Sequence, residues 1–327
     1  MGVGLKRLAA QMLAAPPVWR LLRRRALAGD PLTILCYHTL GPDRGGPEAW
    51  TVLRMEDFRR QVALLRAHYD IVSLDQALAP RAPGATRPRA VLTFDDGEAG
   101  MHRHLLPFVR AEGVPVTVYV ATGQIETGTP FWFDRVMNAL QAEGAFALDL
   151  RAEGLGQWAF PAGGGAALWS VMGPLLERMK TLAPAAREDL AARIAAARPA
   201  PPPGRMLAPM TRAELAELAA CPLVTIGAHS HCHNLLDQIP LAEARESMVR
   251  SRALLRDWTG QEVAHFAYPN GNHSAALCDA ARDAGFRSAT ILGMRLARAD
   301  AHPFALPRLA IGRYDSAARF RLRLAEV

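Results

Sequence analysis

The chain has 327 residues, half of them hydrophobic and 21% charged, which is enough apolar side chain for a sizeable core and too much for a disordered chain. Its formal charge is +7, yet six basic residues (Lys6, Arg7, Arg20, Arg23, Arg24, Arg25) and no acidic one fall in residues 1–29, which leaves +1 for the rest. A near-neutral body excludes the basic groove of a nucleic-acid-binding protein. Four cysteines (Cys36, Cys221, Cys232, Cys278) stand far apart with no Cys-x-x-Cys pair, and are expected to be reduced and mostly packed.

Residues 1–30 read as a basic arm. Its apolar run is broken by Gln11 and ended by Pro16-Pro17, and Arg23-Arg24-Arg25 stand where a signal peptide would be cleaved. Two readings stay open: peripheral contact of residues 1–29 with an anionic membrane, and a solvated basic tail. No transmembrane helix is expected, since the long uncharged stretch 155–176 contains Pro161, Pro174 and three consecutive glycines. A cytoplasmic protein, peripheral to the inner membrane, fits this pattern.

From residue 31 a βα rhythm begins. Leu32–Tyr37, Ile71–Leu74, Ala90–Phe94 and Val114–Val120 read as strands, with helices expected over 55–68 and 99–112. Between 126 and 210 the rhythm stops in an Ala-, Gly- and Pro-rich stretch with helical pieces near 132–142, 166–180 and 184–198. A stiff Pro-Ala-Pro-Pro-Pro-Gly linker, 199–204, closes it. Thr211 and Glu214 then form a capping box. The rhythm resumes with strands at Leu223–Gly227, Val263–Ala267 and Ser288–Leu292, and helices over 240–258, 274–284 and 316–324. The reading is an α/β fold over 31–327, a parallel sheet or barrel with a mainly helical insertion at 126–210.

Three strand ends carry chemistry. After Phe94 come Asp95-Asp96-Gly97, two carboxylates that point to opposite sides and a glycine that lets the chain turn away. After Gly227 comes His229-Ser-His-Cys-His233, whose outer histidines at spacing four would share one face of a helical turn and chelate one metal. The third is Tyr268-Pro269-Asn270-Gly271, a turn able to aim a backbone N–H into a pocket. Each alone is more often an ordinary turn or a compositional accident. Together at the C-terminal ends of parallel strands they mark a site, and one carboxylate with two histidines leaves coordination positions open.

The sequence resembles the NodB-homology polysaccharide deacetylases, metal-dependent carbohydrate esterases: Thr93-Phe-Asp-Asp-Gly97 matches their first motif and His229-Ser-His-Cys-His233 their second. The resemblance covers about 32–325 and implies a distorted (β/α)7-type barrel. It implies that Asp95 is the general base and that Asp96, His229 and His233 hold one divalent metal ion, zinc first, with cobalt, nickel or iron possible. The third motif departs from the family pattern, because Ala267 stands where an arginine would orient the base. Asn270 can still offer its backbone N–H to an oxyanion. The C-terminal strand lacks its usual histidine, having Leu306-Pro307-Arg308, whereas Cys36-Tyr37-His38 ends a strand before the first motif. This resembles the circularly permuted subgroup acting on poly-hexosamines, and implies that His38 is the general acid. Tyr268, Pro269 and Trp132 are added as substrate-binding candidates, with core packing the alternative for Trp132.

The expected function is removal of N-acetyl groups from an acetylated amino-sugar polymer or glycan precursor. Two other readings are a small amide or cyclic imide hydrolase on the same barrel, and a metal- or glycan-binding relative without turnover.

Overall fold

A computed structural model describes residues 3–81, 83–141, 144–199, 201 and 203–327. The strands are β1 (Thr33–Tyr37), β2 (Thr39–Gly41), β3 (Val52–Arg54), β4 (Asp70–Ile71), β5 (Arg89–Phe94) and β6 (Val116–Val120). They continue as β7 (Phe146–Leu150), β8 (Gly156–Phe160), β9 (Val224–Ala228), β10 (His265–Ala267), β11 (Ser288–Leu292) and β12 (Leu306–Ala310). Seven of them form a closed parallel barrel in the order β1-β12-β11-β10-β9-β6-β5, shut by pairing of β1 with both β12 and β5. Helices connect and surround these strands, so both strand faces are covered. That explains why β1, β6 and β12 are buried at every residue, and why β1 and β6 read as largely apolar runs.

The expected helices form over Met55–His68, Leu241–Thr259, Ala275–Asp283 and Ala317–Arg323, and the Thr211–Glu214 capping box opens the helix Arg212–Ala219. The helix read over 99–112 starts as a wider π turn, Met101–Leu105, before Leu106–Glu112. The strand read at Ile71–Leu74 shrinks to β4, which pairs only with the first two residues of β5, because Ser73 caps a short helix from Leu74. The barrel instead takes its seventh strand from β12, a segment that Pro307 and Arg308 disguise: a proline argues against a central strand, and an arginine against a buried one.

The segment between β6 and β9 carries the helices Trp132–Leu140, Gly165–Met179 and Pro184–Ala196, and its own apolar core of Val136, Met172, Leu175, Leu190 and Ile194. It also holds a β-hairpin of β7 and β8, missed because each alternating run is only five residues long and two of its outward positions, Ala147 and Ala159, are not polar. Ala200 and Pro202 of the expected linker lie outside the described residues.

At the other end of the molecule, the arm folds into two helices, Val3–Leu13 and Pro16–Ala26. Trp19 is buried and donates its indole N–H to the Arg321 carbonyl at 2.7 Å, and Arg23 donates to the His68 carbonyl at 3.1 Å. The second helix is thus pinned to the barrel, not loose. The side chains of Lys6 and Arg7 lie outside the described residues.

Candidate metal-dependent active site

A cavity of about 560 Å³ opens at the C-terminal ends of the barrel strands, with His38, Asp95, Asp96, His229, His233 and Asn270 all on its lining. Topology brings them together: β1, β5 and β9 end here, and Asn270 follows β10. The insertion supplies Trp132, Phe133, Trp169 and Leu176 as walls, and Trp50 adds a third tryptophan. Trp50 lies so close against Gly312 that a Cβ there would overlap its indole ring.

Asp95 and Asp96 leave β5 in different directions. Asp95 continues the strand, its N–H donating to the Tyr37 carbonyl at 3.0 Å, and its carboxylate accepts two hydrogen bonds from Arg308, Nη1 to Oδ1 at 2.7 Å and Nη2 to Oδ2 at 2.6 Å. Arg308 is fully buried on β12; it also donates to Thr93 Oγ1 at 3.0 Å, and that hydroxyl donates to the Leu35 carbonyl at 2.8 Å. Burial pushes the Asp95 carboxyl up, but the charge and hydrogen bonds of Arg308, together with the nearby His229 and His38, outweigh it and hold the group below the ordinary carboxylate range. The Cys36 thiol lies 3.4 Å from Asp95 Oδ2, and burial pushes that thiol up, so it stays protonated.

Asp96 turns away through a left-handed backbone (φ 82°), followed by Gly97 at φ 96°. Its Oδ1 lies 3.5 Å from His229 Nε2 and 3.1 Å from His233 Nε2. Burial opposes its charge, but its contacts with the two histidines hold it well below the usual range. His229 donates from Nδ1 to the Ala267 carbonyl at 2.7 Å, which fixes the tautomer and leaves Nε2 free as a ligand. Residues 229–233 are not the expected helical turn: Ser230 (φ 64°) and His233 (φ 52°) are left-handed, and this loop brings the rings to 4.9 Å. Ligand atoms of Asp96, His229 and His233 all lie within 4.8 Å of one another, a buried donor set that fits one divalent cation with open positions.

His38, at the end of β1, packs edge-on against Trp50 with ring centroids 5.6 Å apart, and its buried Nδ1 has no partner. Asn270 sits left-handed at φ 58°, and its side-chain carbonyl accepts from Lys180 Nζ at 2.7 Å. Lys180 lies just past an insertion helix, so this bond ties the roof to the turn. Tyr268 does not line the cavity: it is buried in the core, its hydroxyl donating to the Phe304 carbonyl at 3.1 Å. Pro269 is buried in the turn, also off the lining, because the turn projects Asn270 instead. Trp132 is both packed in the insertion core and on the cavity wall. His231 faces away, toward Thr122 at 2.9 Å, and Cys232 is exposed beside Ser247, not packed.

The polysaccharide deacetylase family model matches residues 83–151 and 198–289. The chain belongs to this family. It is a carbohydrate deacetylase, a hydrolase of acetylated glycans. The first matched segment carries the acidic pair and the second the histidine pair, whereas His38 and Arg308 lie outside both. No similar sequence is found among curated proteins. Among solved structures, the Streptococcus pyogenes deacetylase PplD is 15% identical, over 90% of this chain and 98% of that one, with a TM-score of 0.58. IcaB from Ammonifex degensii is 18% identical, over 91% and 98%, with a TM-score of 0.57. A de-N-acetylase from Aggregatibacter actinomycetemcomitans is 16% identical, over 90% and 100%, with a TM-score of 0.56. These likenesses establish the shared fold.

Sequence reasoning missed Arg308. Its signal was a charged residue amid the apolar run Leu306–Ala310, which a barrel buries and must therefore pair. Glu98 and Asp134 were also missed: burial pushes both carboxyls up where they meet between the first-motif loop and the first insertion helix. A proton held on one of the pair lets it donate to the other instead of repelling it.

Proposed function

We propose that the deacetylase removes N-acetyl groups from amino sugars of a glycan, with Asp96, His229 and His233 holding one divalent metal ion, zinc first on affinity and availability. The observation that carries this is the pairing of Arg308 with Asp95 beside the Asp-His-His donor set on one cavity floor. A bound divalent cation supplies Lewis-acid polarisation of the acetyl carbonyl and of a water molecule. Asp95, kept ionised and aimed by Arg308, takes a proton from the attacking water. The backbone N–H of Asn270 donates to the oxyanion of the tetrahedral intermediate. His38 delivers a proton to the departing nitrogen as the C–N bond breaks, which yields acetate and the free amine.

The tryptophan walls suit the apolar faces of sugar rings. Ala267, at the position of the family's arginine, would favour a binding protein without turnover, but Arg308 supplies a guanidinium to Asp95 from another strand. Acetate release from N-acetylglucosamine oligomers tests the proposal with metal-stripped, zinc-reloaded and cobalt-reloaded protein. Release only after reloading is expected. Release from small amides or cyclic imides but from no glycan would favour the alternative hydrolase.

For the arm, we propose peripheral contact with an anionic membrane on the cytoplasmic side. No helix among the described residues is long and apolar enough to cross a bilayer. Leu8, Met12, Val18 and Leu21 are exposed on the arm, next to exposed Arg20, Arg24 and Arg25. Apolar side chains can enter the lipid boundary while each nearby arginine adds ~1 kcal/mol of attraction. Co-sedimentation with phosphatidylglycerol vesicles, lost at high salt and absent with phosphatidylcholine, is the expected result.

A further inference from the structure

The insertion places one cation in the cavity that the reaction above does not use. Arg187, in the first turn of the helix Pro184–Ala196, is 1% exposed and lines the same cavity as the catalytic floor. Its Nη2 donates to Asn234 Oδ1 at 2.9 Å, next to His233, and its guanidinium lies 5.1 Å from the Trp132 ring centre. Its Nε has no partner, and its neighbour Glu188 is paired with Arg135. Among the described residues Arg187 therefore forms no ion pair with a carboxylate, and the Glu188 charge reaches it only at longer range. The other cation of the wall, Lys180, is satisfied by Glu177 at 2.7 Å and by Asn270. Arg308 is satisfied by Asp95.

A buried charge without a counter-ion is costly, and proteins ordinarily pair such groups. One amide oxygen and an aromatic face compensate Arg187 only in part. Glu188 and Asp189 follow on the same helix, but Glu188 is turned to Arg135, and the first turn has no acidic residue and no capping side chain, so its N-terminal end is itself favourable to an anion. The planar guanidinium suits a carboxylate or a phosphate.

We propose that Arg187 forms a subsite for an oxyanion substituent of the glycan, so that the preferred substrate is an acetylated amino sugar carrying a carboxylate or a phosphate close to the scissile N-acetyl group. This rests on the deacetylase reading for the location of the substrate, but not for the binding test. Arg187 positions the substrate and takes no part in the proton transfers.

The metal-loaded full chain is assayed for acetate release on neutral N-acetylglucosamine oligomers and on oligomers bearing carboxylate or phosphate groups. The wild type favours one anionic series, and which series wins identifies the oxyanion. Arg187→Gln lowers the anionic-to-neutral ratio of kcat/KM by about 10- to 100-fold, the size of a lost charge-assisted hydrogen bond, and acts through KM. Arg187→Lys keeps part of the preference and serves if the glutamine variant fails to fold. Independently, inorganic phosphate raises Tm in the wild type more than in Arg187→Gln. An unchanged ratio, or wild-type preference for neutral oligomers, overturns the subsite and leaves the deacetylase reading standing. If no substrate releases acetate, an Arg187-dependent phosphate shift supports the subsite while the deacetylase reading fails, and equal shifts overturn the subsite.

Discussion

The floor and the roof of the cavity are built by different rules. On the floor every functional group sits at or just past a barrel strand, and several are held by partners from elsewhere in the chain: Asp95 by Arg308, His229 by the Ala267 carbonyl, and the chain at Asp95 by the Tyr37 carbonyl. The roof is made of insertion helices with a separate core, which reach the floor through a few polar ties such as Lys180–Asn270 and Arg187–Asn234. The barrel thus fixes the chemistry, and the insertion can vary in shape and charge without disturbing it.

Changes to the floor should therefore be severe and indifferent to substrate. Asp95→Asn removes the proposed base without changing its size and should lower kcat by at least ~1000-fold, within the range for a general base, for every substrate. A loss confined to one glycan would break the contrast. Arg308→Met leaves Asp95 buried and unpaired, which should destabilise the protein by about 3–5 kcal/mol in denaturant titration, because a lone buried charge is not compensated. His38→Gln should cost about 100-fold or more in kcat, with the loss smaller on substrates whose leaving amine is more acidic. Changes to the roof should be milder and selective. Trp169→Ala should raise KM for glycan oligomers by about 5- to 20-fold, the worth of one aromatic contact, with kcat little altered. Should Trp169→Ala lower kcat as much as His38→Gln, the roof would have to be counted as part of the reaction machinery.

The same division explains what could be read from sequence. The barrel strands were legible because double-sided burial demands continuous apolar runs such as Ala90–Phe94, and the candidate metal donors because Asp96, His229 and His233 closely follow such runs. Arg308 was illegible because its role depends on β12 lying beside β1, one strand from Asp95, a neighbourhood that barrel closure creates and no local pattern reports. Proline at 307 hid the strand as well. The roof was legible only as helices: their periodicity shows an apolar face, but not that Trp169 and Arg187 would line one cavity with the histidines. Tyr268 shows the converse error. A resemblance to a motif put it beside the substrate, while its place at the end of β10 turns it into the core.

The central claim is that this deacetylase holds its base with an arginine from the last barrel strand instead of from the third motif. The most direct measurement is kcat/KM for acetate release by the metal-loaded protein in three forms: wild type, Arg308→Met, and Arg308→Met with Ala267→Arg. The account predicts a loss of about 100-fold or more in the single variant, comparable to losing a buried charge pair at the base. It also predicts partial recovery in the double variant, where the arginine returns to the position the family uses. Wild-type activity in Arg308→Met would contradict it, since Asp95 would then need no such partner.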